Sequence, residues 1–215
     1  MRKLLLYSIF LLSMPWINAQ YVEPEKKDKE EMIRKQNEKI IFPSQKFDSV
    51  AAKNMLAMGK GKISGVAFTR VREDKNFGLK TGPKVYANKL KIILFPVTSY
   101  FNEYYTLWKD KSKHNPKRNT FVQMVPEAYR YRLESITNSS GEFTFPDMRP
   151  GKYYIFATLD YYTTHSGSKY SGSGYDNYGR IDYYEPYTYQ KNGSEFLELF
   201  VEVKQEGEVV NVKLK

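Results

Sequence analysis

From Lys60 to the last residue, apolar and polar positions alternate in short runs, the period of strands with one face in a core and the other in water. The run from Gly141 to Ile155 is the clearest. Phe143 and Phe145 alternate with Glu142 and Thr144, Pro150-Gly151 punctuates, and Tyr153, Ile155, Ala157 and Leu159 resume the phase. This predicts two strands joined by a tight turn. Lys62 to Arg70 predicts an earlier strand carrying Ile63, Val66 and Phe68. Lys89 to Thr98 predicts a central strand covered on both sides, because Leu90, Ile92 and Leu94 share one face and Ile93, Phe95 and Val97 the other. Pro96 near its end predicts an edge or a bulge there. Tyr129 to Ile136 alternates with Tyr129, Tyr131 and Leu133 inward. Leu197, Leu199, Val201 and Val203, then Val210, Val212 and Leu214, predict a closing hairpin turned at Gln205 to Glu208.

Elsewhere the alternation fails. Asp48 and Ser49 can cap a helix whose apolar side is Val50, Ala51, Ala52, Met55, Leu56 and Met58, with Gly59 at the C-terminal glycine position. Tyr100 to Arg118 predicts a loop or short helix, and Phe121 to Ala128 fits neither period. Residues 161–194 hold nine Tyr among Ser, Gly, Thr and Asn, which predicts a long loop. Six or seven strands separated by turn signals indicate an all-β, antiparallel sandwich, and a 16% aromatic content supplies bulky side chains for its interior.

The first 19 residues read as a signal peptide. Arg2 and Lys3 precede the apolar run Leu4 to Leu12, and Ala19 stands before an expected cut at Gln20. The run is too short to span a bilayer, which takes about 20 apolar residues. The expected location is therefore outside the cytoplasm: periplasmic, outer-surface or secreted, with no transmembrane segment after cleavage. Residues 20–46 form a charged leader or linker rich in Lys and Glu. The absence of Cys excludes a disulfide framework and N-terminal lipidation at a Cys, so the core alone must hold the fold. Net charge is +10, and without Arg2 and Lys3 the excess is 32 basic over 24 acidic side chains. Such a balance favours anionic surfaces, such as acidic glycans or phospholipid head groups. Export argues against nucleic acid as the partner.

Four segments in order carry a family resemblance. They are Gly61-Lys62-Ile63-Ser64-Gly65, Leu94-Phe95-Pro96-Val97-Thr98-Ser99-Tyr100 with Trp108 downstream, the hairpin around Phe143 and Phe145, and Gly207-Glu208-Val209-Val210-Asn211-Val212. Together they resemble carboxypeptidase regulatory-like domains, a transthyretin-like (prealbumin-like) β-sandwich family, in its exported bacterial subgroup. The resemblance covers residues 47–215. It implies a seven-stranded sandwich behind a short helical leader. Members of the family occur as accessory domains on peptidases and outer-membrane transporters, or as free-standing exported proteins. No catalytic residues come with that fold.

Candidate chemistry is sparse. His114 and His165 are the two histidines, and no Gly-x-Ser-x-Gly elbow is present. His165, beside Ser166 and five residues after Asp160, is an arrangement that suggests a hydrolase, and Asp182 with Glu185 offers two carboxylates for glycoside hydrolysis but no expected cleft between them. No His or Cys pair has metal-ligand spacing, and Asp176, Asp182 and Glu185 match no calcium loop. Lys109, Lys111, Lys113, Lys117 and Arg118 form a basic run diluted by Asp110. The best binding candidates are Tyr170, Tyr175, Tyr178, Tyr183, Tyr184 and Tyr187, because Tyr among Ser and Gly offers large contact area at small entropic cost. The expectation is a non-catalytic, exported binding module of the cell envelope that needs no cofactor or metal and engages a protein or glycan. The alternatives are a carbohydrate-binding module using the Tyr-rich loop and a hydrolase using Asp160 or His165.

Overall fold

A computed structural model describes residue 35, residues 37–72 and residues 79–215. The expected signal peptide and most of the charged leader lie outside the described residues. The chain divides into two units, residues 1–39 and 40–215, and the first falls almost wholly outside that range. No helix among the described residues is long and apolar enough to cross a membrane.

The described chain is mostly β. Its strands are β1 (Lys39–Ile41), β2 (Gly61–Arg70), β3 (Lys84–Tyr86), β4 (Lys91–Pro96), β5 (Thr120–Val122), β6 (Leu133–Ile136), β7 (Glu142–Met148), β8 (Gly151–Asp176), β9 (Gly179–Val203) and β10 (Val209–Leu214). Between the strands lie the α-helices α1 (Ser49–Met55), α2 (Ser99–Lys109) and α3 (Pro126–Arg130) and a 3-10 turn at Pro116–Arg118. Seven strands were expected and ten are described. The three short ones, β1, β3 and β5, have three residues each, too few to show a period.

One four-stranded sheet runs β6-β4-β8-β9 and is antiparallel throughout. β1 and β5 make a separate two-stranded sheet, and a second four-stranded sheet is built on β2. β10 lies on one edge, and β7 and β3 share the opposite edge, where Ala67 donates its N–H to the Gly141 carbonyl and accepts from Ala87. Gly141 is required there. Its φ is +77°, and a Cβ would lie 2.5 Å from the Ala67 carbonyl oxygen. β10 pairs with β2 in parallel, so the expected all-antiparallel arrangement and the closing β9–β10 hairpin are both corrected. The turn after Val203 carries the chain into the other sheet instead of folding it back on β9.

The two four-stranded sheets bury one apolar cluster. Ile63, Phe143, Phe145 and Leu214 come from the β2 sheet, and Ile92, Leu94, Tyr153, Ile155, Leu197 and Val203 from the other. These are the inward phases of the alternation. Tyr153 is fully buried, and its hydroxyl reaches the carbonyls of Met55 (2.9 Å) and Arg149 (2.8 Å), tying the end of α1 to the sandwich. Burial pushes its pKa up to about 12. Asp48 caps α1 as the sequence predicts, accepting from the Ala51 N–H at 2.9 Å. Gly59 is not the helix cap. Leu56 takes that position, and Gly59 lies against the Met148 backbone, where a Cβ would come within 2.4 Å.

Residues 161–194 are not a loop. β8 and β9 continue past the sandwich as a two-stranded antiparallel ribbon, paired from Tyr161↔Gly193 to Asp176↔Gly179. At ~3.3 Å per residue, the part beyond Tyr161 is about 50 Å long. Both of its faces are open to solvent, so no apolar-polar contrast marks it as strand, and its Tyr, Ser and Gly read as loop.

Candidate functional site

The ribbon divides the six candidate tyrosines between its two sides. Side chains one residue apart point to opposite faces. Tyr183 and Tyr187 share the face that continues from the core, where their rings cross Gly174 and Gly167 on the facing strand. Tyr170 and Tyr184 form an edge-on pair on the other face, 5.9 Å between centroids, with Tyr175 further out. Tyr178 is in the tip turn and 98% exposed. The six are placed on one element, but not on one platform. His165 also lies on the ribbon. Its Nε2 is 2.9 Å from the Thr163 hydroxyl and its ring stacks on Tyr189 at 5.5 Å.

A second aromatic assembly lies on the outer face of the β6-β4-β8-β9 sheet. In α2, Phe101, Tyr104, Tyr105 and Trp108 recur at i, i+3, i+4 and i+7, one face of a helix. Thr98 caps the helix by accepting from the Phe101 N–H at 3.3 Å. Glu103 fixes it further by accepting from the backbone N–H groups of Ser44 (2.9 Å) and Gln45 (2.8 Å). Beneath α2 the sheet presents the phase opposite to its core: Phe95, Tyr154, Phe156, Phe196 and Phe200. Phe95 and Phe156 stack at 6.0 Å, Tyr105 meets Phe200 edge-on at 4.8 Å, and Trp108 lies 5.3 Å from Phe196. This outer layer makes β4 a strand covered on both sides, as its sequence predicts.

The helix does not close fully on the sheet. Between them is an open cavity of about 480 Å³, within the ~300–1,000 Å³ of small-molecule pockets. Tyr104, Tyr105 and Trp108 form one wall. Phe95, Tyr154, Phe156 and Phe196 form the floor, and Val122, Met124 and Tyr129 the far wall. The expected inward strand position of Tyr129 is corrected. Pro126 starts α3 at its first turn, and Tyr129, on that helix, lines the cavity while remaining 45% exposed.

The floor carries a charged relay. The Tyr154 hydroxyl donates to Glu198 Oε2 at 2.6 Å, and the Lys109 ammonium pairs with Oε1. Lys109 also sits over the Trp108 ring (4.6 Å) and the Tyr105 ring (5.3 Å). Burial first, then the hydrogen bond and charge of Glu198, hold the Tyr154 pKa well above the usual phenol value, so the phenol stays a donor. Burial likewise pushes Tyr104 up to about 12. Tyr104, Tyr105, Trp108, Gln123 and Tyr129 line this cavity, and none of their side chains makes a hydrogen bond to a described side chain or backbone group. Aromatic faces with unspent donors and acceptors suit a ring-shaped ligand that has apolar faces and a polar rim.

His114 braces the mouth. Its ring lies 5.9 Å from Trp108 and 6.1 Å from Phe121, and its Nδ1 accepts from the Val122 N–H at 3.1 Å. That bond requires an unprotonated Nδ1. Burial lowers the His114 pKa below its usual 6.5. Folding thus favours the neutral ring. The stability this contributes is complete above the unfolded value and is lost as pH falls through the lower folded one. Thermal melts should show stability falling below about pH 6.5, and His114→Asn, which cannot titrate there, should remove this step. Glu195 acts lower, below its usual 4.5: burial opposes its charge, but hydrogen bonds from Lys80 and Arg72 outweigh that. An unchanged pH profile in the variant would dismiss His114 as the titrating brace.

Two signals for this cavity were present in the sequence. The 101/104/105/108 spacing is helical, but it stands in a stretch lacking the strand period. Phe156, Phe196 and Phe200 are aromatic residues on the phase expected to be wet, which implies a second covered face.

No protein-family model matches the chain, and no curated protein matches it. Among solved structures, it is similar to a crystal structure from Pseudomonas aeruginosa described as a "putative carbohydrate binding protein". Identity is 21% and the TM-score 0.44, over 79% of this chain and 98% of the other.

Proposed function

We propose that this chain is an exported, non-catalytic binding module of the cell envelope, of the carboxypeptidase regulatory-like kind, and that it holds a saccharide in the cavity under α2. The observation that carries the reading is the cavity itself: aromatic faces from α2, β4, β8 and β9 around hydrogen-bonding groups that the fold leaves unspent. A pyranose ring stacks its C–H face on such rings and offers its hydroxyls to the rim. Nothing in this reading calls for a cofactor. His165 meets the Thr163 hydroxyl, which also reaches the Lys191 carbonyl at 3.2 Å, and stacks on Tyr189; no carboxylate among the described residues orients its ring, so the hydrolase reading lacks the third group of a nucleophile–base pair.

The ribbon supports a second reading, a protein partner, because it leaves Tyr side chains and two strand edges open to solvent. Deleting it separates the two. In a variant with residues 164–190 replaced by Asn-Gly, Thr163 and Lys191 remain paired and no residue of the central core is removed. Its melting temperature is expected to stay within a few degrees of the parent. On a glycan array it should retain the parent's signals. Loss of every glycan signal in the folded variant would move the site to the ribbon.

A further inference from the structure

We infer that the saccharide is acidic, and that its anionic group is read by the basic segment that joins two walls of the cavity; this rests on the saccharide reading. Residues 110–119 run from the end of α2, where Trp108 lines the cavity, to β5, where Val122 lines it. His114 packs the segment against Trp108. It is therefore fixed to the rim and is not a free loop. Residues 109–132 carry seven Lys or Arg against two acidic residues, an excess of +5 in a chain whose total is +10.

The pairing of these charges sharpens the point. Lys109 is held by Glu198, and Arg132 by Glu134 and the Tyr129 ring. Lys111, Lys117, Arg118 and Arg130 are exposed and make no ion pair among the described residues. Asp110 is the segment's one exposed carboxylate, and it accepts from the Ser112 N–H at 2.8 Å. The rim thus presents unpaired cations beside an aromatic cavity, a field that draws a carboxylate or sulfate to the mouth while the ring enters. The ribbon has no such bias, with Lys169, Arg180 and Lys191 balanced by Asp176, Asp182 and Glu185. The segment that carries these cations is anchored at both ends to a cavity of defined size, not to a flat apolar surface, which favours a sugar over a lipid head group.

The test compares polymers that differ in charge alone. Polygalacturonate is set against its methyl ester, and dextran sulfate against dextran, by titration calorimetry with the full chain. The expected result is at least about tenfold tighter binding of one or both charged polymers. That preference should shrink as salt rises and should fall towards unity in Lys111→Gln/Lys117→Gln/Arg118→Gln. Which pair shows it tells carboxylate from sulfate. Equal affinity within both pairs overturns the inference and leaves the saccharide reading standing. Polyglutamate bound as tightly as polygalacturonate overturns it too, since charge without a ring would suffice. Tighter binding to phosphatidylglycerol vesicles than to any glycan overturns it in favour of a membrane. Binding to none of the four polymers removes both readings.

Discussion

Trp108→Ala is expected to weaken saccharide binding about 30-fold or more, the cost of removing a central aromatic anchor of about 2 kcal/mol. Trp108 forms a wall of the cavity, contacts Phe196 below it and carries Lys109 over its ring. Its removal strips the largest stacking surface and releases the ammonium that pairs with Glu198. The side chain is only half-buried and lies outside the central core, so the fold should survive with a small drop in stability. Trp108→Phe should keep most of the affinity, because a flat ring remains. Calorimetry on the two variants distinguishes the cases. Equal and undiminished affinity in Trp108→Ala would show that the cavity is not where the ligand sits.

The second large effect is on stability. Phe145→Ala is expected to cost about 3–5 kcal/mol. Phe145 is 2% exposed, sits edge-on to Phe143 at 6.0 Å and faces the opposite sheet within the central cluster. Truncation loses the transfer energy of the ring and leaves a void between two sheets that cannot collapse freely. No disulfide offsets the loss, since the chain has no Cys. Against a typical domain stability of about 5–15 kcal/mol, this is a large fraction. The urea midpoint should fall sharply, while Tyr178→Ala at the ribbon tip should leave it within experimental scatter. A midpoint for Phe145→Ala like that of Tyr178→Ala would contradict the two-sheet core.

The alternation of Phe143, Phe145, Ile155, Leu197, Val203 and Leu214 made the central core legible, because burial on one face of a strand is a local property of the chain. Pairing is not local. Nothing in the last residues distinguishes a hairpin partner of β9 from a parallel partner of β2, since both bury Leu214. The ribbon was hidden for a related reason: with both faces in water, Tyr, Ser and Gly need not alternate. The tyrosine-rich composition was visible, but its partition between two faces depends on the register of β8 against β9. The cavity was the least visible part. It needs an aromatic outer phase on three strands and a helix folded across them, and each contribution is separated from the next by tens of residues.

Trp108 also makes the direct measurement simple. The chain has two tryptophans, and Trp16 lies in the expected signal peptide, so protein starting at Gln20 leaves Trp108 as the sole reporter. Titrating that protein with oligogalacturonates and with maltooligosaccharides should give, for at least one series, a saturable change in Trp108 emission as a sugar face covers the indole. A glycan that binds by calorimetry yet leaves the emission unaltered to saturation would contradict the assignment of the cavity as its site.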